Sequence, residues 1–230
     1  MSQARKCLVV VAHPDDEILG CGATLHKLSR EGWECRMALA CSHVDKRTRR
    51  PTLVELDEDM RAACKIVGLE PAYLGTFDNL LLAQTPHHEL VKYVEDAYLD
   101  FEPELVFVHA SSDMNKDHGA LSEASLVATR IFQRRNMNVP IRKVLAVEVS
   151  SSTDWGITPC VDAFSPTTFV PVEEQDLDAK LRALACYREV MRPHPHPRSD
   201  ESLRARAIIR GSQCGSHYAE AFQLMLEIGL

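Results

Sequence analysis

Residues 7–19 of this 230-residue chain read CLVVVAHPDDEIL, and their pattern predicts the centre of the fold. The first part, from Leu8 to Ala12, is an uninterrupted apolar run, which is typical of a strand buried on both faces of a parallel sheet. The second part, HPDDE, crowds one imidazole and three carboxylates into five positions. A single acidic residue would be enough to begin the helix that the next residues predict. The crowding therefore predicts a functional site at the end of the first strand.

A metal site explains the crowded residues better than a capped turn does. Pro14 favours an extended backbone at His13, and the turn that follows allows His13 and Asp16 to converge while Asp15 points elsewhere. An imidazole with a carboxylate is half of a catalytic zinc site, which takes three protein ligands and leaves one position for water. Asp15, off the metal, is then free to act as a base. The alternative, a capped turn, leaves His13 and the second aspartate unexplained.

The composition of the whole chain narrows the classes of function. It is 45% hydrophobic and 26% charged, as in an ordinary soluble globular protein. The formal net charge of −7 predicts no general attraction to nucleic acid or to an anionic membrane. The apolar run near the N-terminus is too short for a signal peptide or a membrane span, so we expect a cytoplasmic location. The eight cysteines are scattered without a CxxC pair, which indicates reduced thiols.

Strand patterns and helix patterns alternate along the first 150 residues. Apolar runs predict further strands at residues 33–41, 72–74, 104–109 and 143–149, with helices near residues 18–31, 56–67 and 87–101 and from residue 121. The alternation predicts an α/β fold, a Rossmann-like doubly wound, mostly parallel sheet with helices on both faces. We expect a single domain over residues 1–230. Its Rossmann-like core would be residues 1–150.

The remaining residues, 151–230, are expected to supply a C-terminal strand and helices that pack on this core. Their pattern predicts an irregular stretch up to Pro171, then a helix that continues to Met191 and a proline-rich turn. The last residues, which contain His217, are expected to be helical. We place His217 on a helix surface rather than at a substrate.

The third metal ligand is expected from a loop after another strand. In such sheets, ligands bind where the carboxyl ends of the strands open into loops. The loop after residues 104–109 ends in Asp117 and His118, and His118 is the predicted third ligand. His109, which ends the strand itself, is the rival. A lone histidine would indicate a surface or capping residue, but the incomplete pair of His13 and Asp16 needs a partner.

These motifs together resemble the PIG-L/LmbE-like family of zinc-dependent N-deacetylases. The motif AHPDDE ends a buried strand, and a DH pair follows about a hundred residues later. GTFDN at residues 75–79 and YAEAF at residues 218–222 extend the similarity nearly end to end. The resemblance implies three groups of site residues: the zinc ligands His13, Asp16 and His118, the general base Asp15, and the sugar contacts Arg61 and Asp78.

One position departs from the pattern of this family. Many members have a histidine three residues before the DH ligand, whereas this chain has Asn115. An amide can donate a hydrogen bond to an oxyanion, so we assign Asn115 to the catalytic set. It cannot carry a proton to a leaving amine. We therefore expect Asp15 to return the proton to the departing nitrogen.

The residues and the resemblance predict a zinc-dependent amidohydrolase that removes an N-acetyl group from an amino sugar or sugar conjugate, releasing acetate and a free amine. Zn²⁺ is the expected cofactor, and Fe²⁺ is left open because a His/Asp/His set suits either ion. One alternative is hydrolysis of another amide, such as a thiol conjugate or an antibiotic intermediate. Another is a non-catalytic protein that binds a sugar or nucleotide, although the first turn lacks the GxGxxG phosphate loop.

Two other features bear on the substrate and on further metal binding. The basic run at residues 46–50, from Lys46 to Arg50, would suit a phosphate-bearing sugar, but such a run is usually a solvated loop. His194 and His196 alternate with prolines, which indicates a stiff extended loop rather than a second metal site. The expected partner is a small N-acetylated sugar. A homo-oligomer is left open.

Overall fold

A seven-stranded sheet forms the centre of the protein in a computed structural model, which describes residues 4–43, 51–134, 141–155 and 163–229. The strands are β1 (Lys6–Val11), β2 (Glu34–Leu39), β3 (Leu69–Leu74), β4 (Leu105–His109), β5 (Lys143–Val147), β6 (Thr168–Val172) and β7 (Tyr218–Glu227). The helices are α1 (Asp16–Arg30), α2 (Leu53–Val67), α3 (His87–Phe101), α4 (Lys116–Ala128), α5 (Ile131–Arg134), α6 (Glu174–Cys186) and α7 (Asp200–Cys214). The predicted α/β class, with a single Rossmann-like domain, is confirmed.

The strand order is β3-β2-β1-β4-β5-β7-β6. The first five strands in that order are parallel, β7 is antiparallel to β5, and β6 is antiparallel to β7. The chain leaves β1 towards β2 on one side and later returns to β4 on the other. Such a reversal opens a crevice at the carboxyl ends of β1 and β4, where ligands bind in sheets of this kind.

The apolar run of β1 is buried because helices cover both of its faces. Val9 and Val11 pack in one core with α1, α2, α6 and α7, while Leu8 and Val10 pack in the other with α3 and α4. All four side chains are fully buried. Successive strand residues point to opposite faces, so a sheet covered on both sides needs this unbroken run.

Local chemistry explains why α2 begins earlier than the sequence predicts. We expected a helix from residue 56, but it begins at Leu53. Thr52 and Glu55 form a reciprocal capping box, in which each side chain accepts the other's backbone N–H. The helix ends as expected at Gly68, which has the left-handed conformation with φ 71°.

The predicted C-terminal helical region is wrong for residues 218–227, which form β7. These residues include alanine, glutamate, leucine and methionine, which favour helices in isolation. Here β7 is hydrogen-bonded on both sides, to β5 and to β6, and this pairing outweighs local propensity. The placement of His217 on a helix is wrong as well, because this exposed residue immediately precedes β7. The helix that was expected to reach Met191 ends at Cys186.

The described helices and cysteines add two simple observations. None of the helices in the described part of the chain is long and apolar enough to cross a bilayer. Seven cysteines are described, and each carries a free thiol. The eighth, Cys160, lies outside the described residues.

Candidate active site

Three ligand atoms converge at the carboxyl ends of β1 and β4. His13 Nδ1 lies 3.3 Å from both His118 Nε2 and Asp16 Oδ2, and the latter two atoms are 3.1 Å apart. All three residues are buried. Bonds of about 2.0–2.1 Å to a tetrahedral zinc ion separate neighbouring ligand atoms by about 3.3–3.4 Å. These three residues therefore fit a single divalent cation, and we refer to them as the ligand triangle.

The turn after β1 brings two of these ligands together. Asp16 N donates to His13 O at 3.3 Å, and Asp16 Oδ2 accepts the backbone N–H of His13 at 3.0 Å. Between them, Asp15 has φ 101°, a left-handed conformation that non-glycine residues rarely adopt and that stores strain. The turn directs Asp16 back towards His13. The Asp15 carboxylate instead contacts Arg198.

Each histidine of the ligand triangle faces a carboxylate on its other ring nitrogen. His13 Nε2 lies 2.8 Å from Asp117 Oδ2, and His118 Nδ1 lies 3.0 Å from Asp113 Oδ2. A carboxylate in this position fixes the tautomer and orientation of a metal-binding histidine and raises its basicity. The two aspartates therefore leave His13 Nδ1 and His118 Nε2 available to a cation.

Both outer carboxylates are held in place by further hydrogen bonds. Asp117 accepts the backbone N–H groups of Leu80 and Leu82 at 2.6 Å and 3.0 Å. Asp113 accepts the hydroxyls of Ser152 and Thr153, each at 2.9 Å. Loops after three different strands thus contribute to the orientation of the two histidines.

Burial and charge act in opposite directions on the ligand triangle. Burial alone would raise the pKa of Asp16, but the charge and hydrogen bond of His118 outweigh it and hold that pKa well below its usual range. Burial would likewise lower the pKa of His118, whereas the charge of Asp16 and the hydrogen bond to Asp113 raise it to about 10. The surrounding carboxylates thus stabilise positive charge at this point, as they would stabilise that of a bound cation.

His109, the rival third ligand, occupies a different place. Its Nε2 accepts the backbone N–H of Ala12 at 2.9 Å, which uses the lone pair that a metal would need. Its ring stacks on that of His118 with centroids 3.8 Å apart. Burial, followed by the charge of His118, lowers the pKa of His109 to about 3. A neutral His109 therefore packs against the ring of His118 and does not belong to the ligand triangle.

Comparison with known proteins gives the family. The model of the PIG-L family, described as GlcNAc-PI de-N-acetylase, matches residues 8–129. This match includes most of β1, all of β4 and all three residues of the ligand triangle. The chain belongs to the PIG-L family. The resemblance seen in the motif AHPDDE is thereby confirmed.

Individual relatives resemble the chain in sequence or in fold. The chain is 28% identical over 186 residues to the uncharacterized deacetylase YaiS of Escherichia coli K12, covering 77% of this chain and 87% of that one. It shares its fold with N,N'-diacetylchitobiose deacetylase from Pyrococcus horikoshii, with TM-score 0.74, 18% identity and coverage of 96% and 84%. GalB, a 4-carboxy-2-hydroxymuconate hydratase from Pseudomonas putida, has the same fold, with TM-score 0.73, 20% identity and coverage of 98% of each chain.

The other predicted residues of this PIG-L protein lie in different settings. Arg61 is on α2, its side chain is 56% exposed, and it pairs with Asp57 at 2.8 Å. Asp78 is exposed in the loop after β3. Asn115 caps α4, because its Oδ1 accepts the backbone N–H of Asp117 at 3.0 Å. The sugar contacts and the catalytic role of Asn115 stay predictions.

Some predicted features lie away from the ligand triangle or outside the described residues. The basic run from Lys46 to Arg50 lies outside the described residues. His194 is exposed and His196 is half-buried, in the loop between α6 and α7. Within the described residues, neither belongs to a cluster with metal-binding spacing.

Sequence reasoning missed three residues of the site: Asp113, Asp117 and Arg198. Asp113 and Asp117 lie in the polar stretch DMNKDH, which ends in the predicted ligand His118. Two acids so close to a predicted ligand were a usable signal. Arg198 lies 183 positions after its partner Asp15, and no spacing rule connects them. Only the fold brings this arginine to the end of β1.

Proposed function

We propose that this protein is a metal-dependent N-deacetylase that cleaves the N-acetyl amide of an amino sugar or sugar conjugate. The products would be acetate and a free amine. The observation that carries the proposal is the ligand triangle, with the acid Asp15 next to it in the chain but outside it. Three protein ligands with a separate carboxylate nearby are the elements of metal-assisted hydrolysis.

His13, Asp16 and His118 would hold the metal ion. Zn²⁺ is the proposed ion, and Fe²⁺ suits the same donors. When bound, such an ion polarises the amide carbonyl and makes water acidic near neutral pH. The outer aspartates Asp113 and Asp117 would keep both imidazoles oriented towards it.

The protein's own residues handle the protons. Asp15 takes a proton from the attacking water as the new C–O bond forms and the carbonyl oxygen receives the electron pair. It then returns that proton to the nitrogen as the C–N bond breaks, so that one water is consumed for each acetate and amine formed. General-base catalysis of this kind contributes about 10² to 10⁴ in rate.

The substrate class is supported by the family and by the relatives. The family description names an N-acetylglucosamine lipid, and one solved relative is named for diacetylchitobiose. We propose Arg61 and Asp78 as contacts to the sugar, and the amide NH₂ of Asn115 as a donor to the oxyanion. The exposed guanidinium of Arg61 has donors beyond the one that reaches Asp57.

A direct assay tests the proposed function. The protein is stripped with a chelator, reloaded with Zn²⁺ or Fe²⁺, and incubated with N-acetylglucosamine and N-acetylated glycosides. We expect equal amounts of amine and acetate, released only by the loaded protein. Because the fold also carries a hydratase, the assay includes an unsaturated carboxylic acid. Metal binding without amine release from any N-acetyl substrate would contradict the proposal. Hydration of the acid would indicate a hydratase instead.

A further inference from the structure

The loop between α6 and α7 reaches the end of β1 through one side chain. This loop contains RPHPHPR at residues 192–198. The last residue of this stretch, Arg198, donates from Nη1 to Asp15 Oδ2 at 3.0 Å and from Nε to Ser150 O at 3.0 Å. The arginine thus joins the loop after β5 to the residue that we propose as the general base.

This ion pair is more removed from solvent than an ordinary surface pair. The Asp15 side chain is 10% exposed and that of Arg198 is 20% exposed. A carboxylate removed from water needs a partner, and the planar guanidinium supplies a charge-assisted hydrogen bond of fixed direction. Its second bond, to a backbone carbonyl, prevents the guanidinium from following a mobile carboxylate.

The backbone of Asp15 gives a second reason for such a partner. A non-glycine residue at φ 101° persists only where its surroundings hold it. The Asp15 N–H donates to Glu17 Oε2 at 3.1 Å, so the main chain is held from one side and the carboxylate from the other. Without Arg198, the carboxylate would lose the hydrogen bond that the guanidinium donates to its Oδ2.

We propose that Arg198 is a positioning residue for Asp15, keeping its carboxylate aimed at the water it deprotonates. The inference rests on the proposed function, because it takes Asp15 to be the general base. Lysine would replace Arg198 poorly. Its ammonium group keeps the charge but lacks the planar guanidinium that donates to both Asp15 and Ser150. Arg198, alone among the residues of this loop, is thereby assigned to the active site.

The experiment compares the turnover of four single variants and one double variant at saturating substrate and equal metal content. We expect kcat to fall about 100-fold in Arg198→Ala, since a misplaced catalytic group costs about that much. Arg198→Lys should recover only part of the loss. Arg192→Ala, which removes an exposed arginine from the same loop, should behave as the unaltered protein. In an Asp15→Asn background, Arg198→Ala should reduce the residual rate little further, because the group that it positions is gone.

Chemical rescue separates positioning from general structural damage. Guanidinium ion at millimolar concentration should raise kcat of Arg198→Ala several-fold, whereas NaCl at equal ionic strength should not, and neither should affect Asp15→Asn. Full activity of Arg198→Ala would overturn the inference. Loss of bound metal, or an equal rate loss in the Asp15→Asn background, would also overturn it by assigning Arg198 a structural role.

The failure of the proposed function can be told apart from failure of this inference. If the unaltered, metal-loaded protein releases no amine, the function fails and the positioning role falls with it. If the unaltered protein is active and Arg198→Ala is equally active, only the role of Arg198 is wrong. A double-mutant cycle of Asp15→Asn and Arg198→Ala on urea unfolding then reports the ion pair itself.

Discussion

At the scale of single residues, the four aspartates of the site differ in the groups that they contact. Asp16 belongs to the ligand triangle, Asp15 lies beside it with an arginine partner, and Asp113 and Asp117 face the outer nitrogens of the two histidines. The four carboxylates have the same chemistry. Because their hydrogen-bond partners differ, we expect them to have different roles.

The first prediction contrasts neighbouring aspartates. Asp15→Asn should keep its metal and lose at least about 100-fold in kcat, because only the proposed base is removed. Asp16→Ala should lose the metal itself, since the ligand triangle then has two members. Metal content by elemental analysis, measured with turnover on the same preparations, checks both. Full activity in Asp15→Asn would show that the base is another group.

The second prediction concerns an outer carboxylate. Asp113→Asn keeps the size of the side chain but removes the charge that faces His118 Nδ1 at 3.0 Å. We expect metal affinity to fall about 10- to 100-fold. Titration against a competing chelator measures this affinity, with Asp96→Asn on the exposed surface as the control. Equal affinities in the two variants would contradict the orienting role of Asp113.

At the scale of elements, α1 is broken at Cys21, which has φ −149° and ψ 21°. The break frees backbone groups on both sides, and other elements satisfy them. Glu220 from β7 accepts the N–H groups of Ala23 and Thr24 at 3.3 Å and 2.7 Å, and Lys180 from α6 donates to Leu19 O at 2.7 Å. Lys180 and Glu220 also pair at 2.6 Å. Two buried charges thus cap the two halves of the helix that carries Asp16.

The third prediction tests this buried pair. Lys180→Met leaves Glu220 buried without its cationic partner, and breaking such a pair costs about 3–5 kcal/mol in free energy of unfolding. Lys92→Met, which breaks the exposed pair with Asp96, should cost about 1 kcal/mol or less. Urea unfolding of both variants gives the comparison. A Lys180→Met variant as stable as Lys92→Met would show that the pair does not hold the broken helix.

At the scale of the whole molecule, the sequence predicted the parallel part of the sheet because β1, β4 and β5 are short apolar runs and helix patterns separate the five strands. It did not predict β7, whose residues favour a helix until β5 and β6 pair with both of its edges. The ligand triangle was predictable because two ligands lie three residues apart and the third follows a strand end. Arg198 was not, since its contact with Asp15 exists only after α6 and α7 have packed.

We propose that one divalent ion binds at His13, Asp16 and His118. Anomalous diffraction from crystals of the zinc-loaded protein is the direct test of this site. We expect one strong zinc peak about 2.0–2.2 Å from His13 Nδ1, Asp16 Oδ2 and His118 Nε2. A peak elsewhere, or no peak in protein saturated with zinc, would contradict it.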